Sequence, residues 1–254
     1  MQYSQDLISK SGKKISILVF ESSIDPNLTI IESHGGYKGS KEKVAEDNKE
    51  LINFASNNKI NYLSIDLSNN GSQQDQPFSE LRFSHRVKDV ETVINFVVDK
   101  YKSSIVLIGS SLGDLITLHA GAYAFNIKGI ILNCAAVKAH ICIEMSINPL
   151  EFRDWKEKNI ANVWGVPMTY DFYEDLVNLN ALKILPKLQM PILWFHGTDD
   201  TVVPIAHARE AKNINPKIEL VEIQGGGHRF GDKMKPGEWE KTVEDFILKI
   251  GRTC

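Results

Sequence analysis

The sequence predicts an α/β fold, a doubly wound and mostly parallel sheet with helices on both faces. Short apolar runs alternate with longer segments of helical periodicity, which is typical of successive strand–helix–strand units. A Gly-Xaa-Ser-Xaa-Gly pattern directly follows the apolar run 104–108, as expected at a tight turn between a buried strand and a helix. The 254 residues are enough for one such domain.

Each predicted element rests on the spacing of its apolar residues. Apolar runs of strand length predict strands at 15–20, 28–32, 60–67, 104–108, 128–133, 191–196 and 218–223. Apolar residues that recur at helical spacing predict helices at about 43–56, 81–101, 112–124, 205–213 and 238–250. The polar segment 69–79 contains Gly and Pro and is predicted to be a loop.

The alternation breaks between residues 136 and 182, where aromatic residues and methionines become frequent. An insertion of this length in a doubly wound sheet usually covers a site. We therefore expect one domain over 1–254 with a small cap at about 136–182. Any one cap aromatic could simply pack in a core, but as a group they are expected to line an apolar acyl or aryl pocket. The residues expected to contact substrate are Tyr37, Trp155, Trp164 and Met168.

Charge and cysteine content argue against several classes of function. The net charge of −3 and the absence of a long basic run argue against a nucleic-acid partner. The apolar stretch 15–20 is too short for a signal-peptide core or a membrane span. Cys134, Cys142 and Cys254 show no CxxC or metal-ligand spacing. Reduced thiols indicate a reducing compartment, so a cytoplasmic location is expected.

Ser111 is the predicted nucleophile. The turn that carries it is so tight that residues 109 and 113 need to be glycine, and the turn lifts the serine hydroxyl to the edge of the sheet. The five-residue pattern is common by chance at this composition. The predicted strand before it and the predicted helix after it favour the interpretation as a nucleophile turn. A serine hydroxyl is a poor nucleophile at neutral pH, so it needs a base that a third group orients.

The order nucleophile, acid, base along the chain selects the other two residues. His207 and His228 follow the acidic candidates, but His207 lies in a predicted helix only seven residues after Asp200. His228 follows three glycines directly after a strand and is the predicted base. The spacing to the following Val-Pro selects Asp200 as the acid, with Asp199 expected to cap or to face solvent. Asp200 would accept the Nδ1 proton of His228 in a hydrogen bond.

An oxyanion that develops on a substrate carbonyl needs N–H donors already in place. The backbone N–H of Leu112 is the first predicted donor, because it begins a helix whose dipole favours negative charge. The N–H of Gly36, in the loop after strand 28–32, is the second. Gly35 and Gly36 could also serve merely to form a turn, and the nearby serine pattern favours the oxyanion role.

Cofactor and metal sites are not expected. The triple glycine at 225–227 leads into a histidine rather than a helix start, and neither a Walker pattern nor Gly-Xaa-Gly-Xaa-Xaa-Gly is present. His34, His85 and His119 show no paired ligand spacing.

Taken together, these residues resemble the α/β-hydrolase superfamily over essentially the whole chain. The resemblance implies the α/β-hydrolase fold and serine-hydrolase chemistry. More narrowly, the chain resembles mitochondrial acyl-protein thioesterases that also cleave acyl glucuronides, and capped carboxylesterases of the feruloyl and cinnamoyl type. The segments that carry this narrower resemblance are 109–113, 118–120, 163–167 and 227–230.

The resemblance implies hydrolysis of carboxylic esters through an acyl-enzyme on Ser111. A thioesterase acting on acylated proteins and a peptidase are the alternatives within enzymes, and a non-catalytic ligand-binding protein is the rival from another class. The expected partner is a small-molecule ester or thioester, or an acylated protein, and a homodimer is one expected assembly. One departure is Asp114, because the family usually has glycine there. An aspartate suits the first turn of a helix, and we expect it to point away from the site and do little harm.

Overall fold

The computed structural model describes residues 1–35, 39–69, 80–122, 124–163 and 165–251. The strands are β1 (Gln2–Ile8), β2 (Lys14–Phe20), β3 (Leu28–Ser33), β4 (Asn61–Asp66), β5 (Ser104–Ser110), β6 (Ile127–Asn133), β7 (Ala161–Val163), β8 (Val166–Met168), β9 (Ile192–Gly197) and β10 (Ile218–Ile223). The α-helices are α1 (Lys41–Asp47), α2 (Lys49–Asn57), α3 (Phe83–Tyr101), α4 (Leu112–Gly121), α5 (Ala139–Ser146), α6 (Pro149–Lys158), α7 (Tyr170–Asn178), α8 (Ala206–Ile214) and α9 (Glu238–Gly251).

Within the described ranges, eight strands form one sheet in the order β1-β2-β4-β3-β5-β6-β9-β10. The pairs β1–β2 and β2–β4 are antiparallel, and every later neighbouring pair is parallel. From β3, the chain first places β4 on one side and then β5 on the other, so the sheet is doubly wound. The predicted fold class, a mostly parallel sheet with helices on both faces, is confirmed.

The central strands are buried on both faces, so they read as continuous apolar runs. Successive side chains of a strand point to opposite faces. In β5, Ile105 and Leu107 therefore enter the larger core, which is closed by helices that include α3 and α4. Val106 and Ile108 enter a second core, which is closed by α2 and α9. Burying this central strand between two cores fixes the position of the turn that follows it.

The chain leaves β5, β9 and β10 at the same edge of the sheet, because these strands are parallel. The loops after the carboxyl ends of parallel strands are where α/β sheets bind ligands. Ser111 follows β5, Asp200 follows β9 and His228 follows β10. The topology therefore collects three residues that are far apart in the sequence.

The segment predicted as a cap contains helices α5 to α7, the β7–β8 hairpin and a 3₁₀ turn at Ala181–Lys183. It contains an aromatic cluster around Phe152. The centroid of the Phe152 ring lies 6.2 Å from that of Trp155 and 5.0 Å from that of Tyr173, and both pairs are in edge-to-face geometry. In the parts of the chain that the structure describes, no helix combines the length and the apolar character needed to cross a membrane.

Candidate active site

Ser111 lies between the last residue of β5 and the first residue of α4, with φ 55° and ψ −113°. A positive φ is uncommon for a residue with a side chain, and such strain persists only where the surroundings enforce it. One enforcing contact is at Gly113, where a Cβ atom would lie 2.7 Å from the carbonyl oxygens of Ser33 and His34. Helix α4 can therefore begin this close to β3 only because residue 113 has no side chain.

The Ser111 hydroxyl, the His228 ring and the Asp200 carboxyl form a continuous hydrogen-bonded chain. His228 Nε2 is 3.0 Å from Ser111 Oγ, and His228 Nδ1 is 2.8 Å from Asp200 Oδ2. A carboxylate can only accept hydrogen bonds, so Nδ1 carries the proton in a neutral His228 ring. Nε2 then has a free lone pair that accepts the serine proton, which is the geometry a general base requires.

Asp200 is held by three donors. Its Oδ1 accepts hydrogen bonds from the backbone N–H groups of Val202 and Val203, at 2.9 and 2.8 Å, and its Oδ2 accepts the bond from His228. Burial of the side chain acts to raise the pKa of Asp200, but the hydrogen bonds from His228 and Val203 outweigh it and leave the pKa below its usual range. The carboxylate is thus charged and fixed in direction.

His196, at the carboxyl end of β9, also lies next to this carboxylate but in a defined neutral form. Trp194 Nε1 donates to His196 Nδ1 at 3.1 Å, and an indole nitrogen can only donate. The proton of the ring must therefore be on Nε2, which lies 2.8 Å from the Val203 carbonyl oxygen and donates to it. Burial lowers the pKa of His196, in agreement with an uncharged ring.

Cys134, His196 and Asp200 are the residues in the described ranges that come closest to a metal-ligand set. Their potential ligand atoms lie within 4.8 Å of one another. A metal would need a ring nitrogen of His196, and both are already used by Trp194 and Val203. Burial also raises the pKa of Cys134, which disfavours the thiolate that metals bind. The donor set does not fit a metal.

The predicted oxyanion donors are only partly visible. Leu112 is the first residue of α4, so its N–H belongs to the helical N–H groups that have no partner within the helix. Gly36 lies outside the described residues, but its neighbour Gly35 packs against the Ser111 turn. A Cβ atom at residue 35 would collide with the Ser110 carbonyl oxygen. The chain therefore passes directly beside the serine turn at Gly35.

The predicted substrate contacts divide into two groups. Tyr37 and Trp164 lie outside the described residues. Trp155 and Met168 are fully buried, and Trp155 Nε1 donates to the Met168 carbonyl oxygen at 2.9 Å. The side chains of Trp155 and Met168 thus form part of the interior of the aromatic segment, away from solvent.

Asn133 is a residue of the site that the sequence interpretation missed. Its side-chain Nδ2 donates to the Gly109 carbonyl oxygen at 2.9 Å, and its Oδ1 accepts from Trp239 Nε1 at 2.8 Å. Its carbonyl oxygen accepts the backbone N–H of Ser111 at 2.9 Å. A signal was present, because Asn133 ends the apolar run of β6 at the edge of the sheet that carries Ser111.

A buried acid lies on β3 just before the loop that contains Gly35. Glu32 accepts a hydrogen bond from the Tyr62 hydroxyl at 2.6 Å and another from Asn48 Nδ2 at 3.0 Å. Both donors are neutral, so they do not compensate fully for the loss of solvation. Burial raises the pKa of Glu32 to about 7.

Comparison with known proteins identifies the fold. No protein-family model matches the chain. The mitochondrial palmitoyl-protein thioesterase ABHD10 of Homo sapiens is 22% identical over 195 residues, which cover 72% of this chain and 60% of the relative. A pimeloyl-[acyl-carrier protein] methyl ester esterase of Xanthomonas axonopodis is 24% identical over 159 residues, or 48% of this chain and 63% of the relative. The chain thus spans about 60% of the length of the curated relatives it matches.

Solved structures match nearly the full chain. Est1E of Butyrivibrio proteoclasticus, in a complex with ferulic acid, has a TM-score of 0.77 at 18% identity and covers 98% of both chains. Mouse alpha/beta hydrolase domain-containing protein 10 has a TM-score of 0.75 at 18% identity and covers 98% of this chain and 99% of its own. The chain has the α/β-hydrolase fold, and its sequence is similar to those of esterases and thioesterases with that fold.

Proposed function

We propose that this chain of the α/β-hydrolase fold is a serine hydrolase that cleaves carboxylic esters through an acyl-enzyme on Ser111. The observation that carries the proposal is the hydrogen-bonded chain from Ser111 Oγ through His228 to Asp200, with links of 3.0 and 2.8 Å. Such an arrangement activates a hydroxyl that would otherwise be a poor nucleophile.

The first half of the reaction acylates the serine. Ser111 Oγ attacks the substrate carbonyl carbon while His228 Nε2 takes the hydroxyl proton. Asp200 stabilises the imidazolium through the Nδ1–H bond and keeps its own negative charge. The tetrahedral oxyanion accepts hydrogen bonds from the Leu112 N–H and, as the sequence predicts, from the Gly36 N–H. His228 then protonates the leaving alcohol or thiol as its bond to carbon breaks.

The second half of the reaction returns the enzyme to its starting state. Water enters, gives one proton to His228 and adds its oxygen to the acyl carbon. The second tetrahedral intermediate collapses, the bond to Ser111 Oγ breaks, and His228 returns the proton to Oγ. The products are a carboxylic acid and free enzyme. The chain's own side chains supply every proton transfer, so the proposal includes no cofactor.

A thioester substrate is the second candidate, and the observation that favours it is the similarity to the palmitoyl-protein thioesterase ABHD10 over 72% of this chain. The leaving group would then be a thiol, of a small molecule or of an acylated protein. The same similarity bears on location, because that relative is named as mitochondrial whereas the cysteine content of this chain predicts the cytoplasm.

A fluorophosphonate probe tests the proposal directly. The wild type should be labelled, Ser111→Ala should not, and Ser110→Ala, which removes the neighbouring hydroxyl, should be labelled like the wild type. A folded wild type that stays unlabelled, or a Ser111→Ala variant that is labelled, would contradict the proposal and favour a non-catalytic ligand-binding protein.

Relative kcat/KM values identify the leaving group. The panel should contain p-nitrophenyl esters, acyl-CoA thioesters and S-acylated peptides, each with short and long acyl chains. A peptide-amide substrate tests the peptidase alternative. Preference for the p-nitrophenyl esters would support a carboxylesterase, and preference for S-acylated peptides would support an acyl-protein thioesterase.

A further inference from the structure

Asp114 lies under the proposed nucleophile, in a position that the proposed reaction leaves unused. It is fully buried in the first turn of α4, three residues after Ser111. Its Oδ1 accepts the backbone N–H of Asn133 at 3.1 Å. Its Oδ2 is buried and has no hydrogen-bond partner among the residues that the structure describes. A buried carboxyl that is only half satisfied is costly, so its retention here needs a reason.

Three hydrogen bonds join Ser111, Asn133 and Asp114 in a closed ring. The Ser111 N–H donates to the Asn133 carbonyl oxygen at 2.9 Å. The Asn133 N–H donates to Asp114 Oδ1 at 3.1 Å. The Asp114 N–H donates back to the Ser111 carbonyl oxygen at 3.2 Å. The ring therefore ties the N–H of the strained serine to the end of β6 and its carbonyl oxygen to the backbone N–H of Asp114, and the Asp114 carboxyl group closes the ring at Asn133.

The place of Asp114 in its helix explains why a carboxyl group can serve there. Ser111 is the N-cap residue of α4, and Asp114 is the third residue of the helix. An acid at this position ordinarily reaches back towards the N-cap backbone. In a capping box the N-cap side chain also accepts the backbone N–H of this third residue, but Ser111 Oγ is directed to His228 instead. The Asp114 carboxyl group reaches the N–H of Asn133, whose carbonyl oxygen holds the N-cap residue.

We propose that Asp114 is a positioning residue, whose carboxyl group holds the Asn133 peptide and through it fixes Ser111 in the conformation that presents Oγ to His228. The inference rests on the proposed function. The side chain of Asn133 restrains the same turn at a second point. It donates a hydrogen bond to the Gly109 carbonyl oxygen and accepts one from Trp239 Nε1. The turn is thus fixed on both sides of the serine.

The surroundings of this carboxyl group favour its uncharged form. Burial raises the pKa of Asp114 well above its usual range, and Glu32 on β3 acts electrostatically in the same direction. The backbone groups of Asn133 and Ser111 favour the charged form but do not outweigh burial. Protonation of this group would also leave the developing oxyanion without a negative neighbour. An asparagine keeps the acceptor oxygen and the shape of this group, so it should replace the acid.

The test compares Asp114→Ala, Asp114→Asn and wild type with p-nitrophenyl butyrate. Asp114→Ala should lower kcat about 10- to 100-fold with KM within about twofold, because small misplacements of a reacting group have effects of that size. Asp114→Asn should restore kcat to within about threefold of wild type. Thr29→Val is the stability control. It removes a buried hydroxyl pair with Ser103 at the opposite end of the sheet, and it should lower the melting temperature without changing kcat.

The outcomes separate the two proposals. A wild type that neither hydrolyses the ester nor reacts with fluorophosphonate would contradict the proposed function. A labelled, active wild type with an equally active Asp114→Ala would overturn the positioning role alone, as would an Asp114→Asn as slow as Asp114→Ala. If Asp114→Ala does not fold, Asp114→Gly, which also lacks the carboxyl group, replaces it, and the same fall in kcat is expected.

Discussion

Asp200 Oδ2 lies 2.8 Å from His228 Nδ1, so the carboxylate determines which ring nitrogen of His228 carries the proton. Asp200→Asn places an amide at this position, which can donate to Nδ1 and stabilise the tautomer with the proton on Nε2. If the proposed function holds, we expect kcat to fall by about 10³- to 10⁴-fold, as when the acid of a Ser-His-Asp triad is replaced. Steady-state kinetics with p-nitrophenyl butyrate measure this change.

Asp199→Asn is the matched control, because Asp199 is exposed and lies next to Asp200 in the same loop. It should keep kcat within about twofold of wild type. An equal fall in kcat in the two variants would show that an amide anywhere in this loop is harmful. It would contradict the specific role of Asp200.

Gly113→Ala should displace the turn that carries Ser111. The added Cβ would lie 2.7 Å from two backbone carbonyl oxygens at the end of β3, and backbone atoms cannot yield as a flexible side chain can. We expect a loss of about 1–3 kcal/mol in the free energy of unfolding and a fall in kcat. Chemical denaturation and steady-state kinetics measure the two effects. Gly251→Ala adds the same methyl group where nothing lies within 4 Å, and a comparable loss there would refute the steric explanation.

Glu32 should make the stability of the protein depend on pH. Its pKa is raised to about 7 in the folded state, mainly by burial, so the folded state binds more protons than the unfolded state between about pH 4.5 and 7. The contribution of Glu32 to the free energy of unfolding should therefore fall as pH rises through this window, by about 3 kcal/mol in all. Burial lowers the pKa of His34 and of His207 to about 4, so these two groups contribute in the opposite direction. Denaturation curves of wild type and Glu32→Gln at closely spaced pH values measure this share as the difference between the two.

Glu32→Gln should remove only the share of Glu32, because the amide does not titrate, so the slope of the variant should be more positive than that of the wild type. Glu219→Gln, which changes an exposed acid on β10, should keep the wild-type slope. A Glu32→Gln variant with the wild-type slope would show that another group is responsible.

Chelation should leave activity unchanged. The metal-ligand set nearest to the site requires a ring nitrogen of His196, and both nitrogens already form hydrogen bonds. Dialysis against EDTA, followed by kinetics with and without added Zn²⁺, tests this expectation. Loss of activity on dialysis with recovery on addition of Zn²⁺ would contradict it.

The parallel strands could be predicted from the sequence because burial on both faces makes them continuous apolar runs. The predicted strand 218–223 agrees with β10 at both ends, and 28–32 falls one residue short of β3. Strand β1 was missed. It lies at the edge of the sheet and alternates exposed with half-buried residues, so it has no continuous apolar run to detect.

The helix predicted at 43–56 is two helices, α1 and α2, which meet at Asn48. The side chain of Asn48 donates to the Val44 carbonyl oxygen and to Glu32. Asparagine competes in this way with helical hydrogen bonding, but the partner on β3 that makes the break favourable is known only from the tertiary structure.

The three residues of the hydrogen-bonded chain could be predicted because the topology fixes their order along the sequence. The surrounding contacts could not. All four polar groups of Asn133 form hydrogen bonds, with partners on β5, on α9 and at the start of α4. These partners are distant in the sequence, so no local pattern predicts the contacts. Trp155 was predicted to contact substrate, but its side chain is fully buried. Composition alone does not distinguish an aromatic residue in a pocket wall from one in a core.

The aromatic cluster around Phe152 is continuous with the larger core, since Trp155, Met168 and Phe172 belong to the same buried cluster as residues of α3 and α4. A change of volume inside this segment is therefore transmitted to the helices that pack on the sheet. The segment and the sheet should accordingly unfold in one cooperative transition.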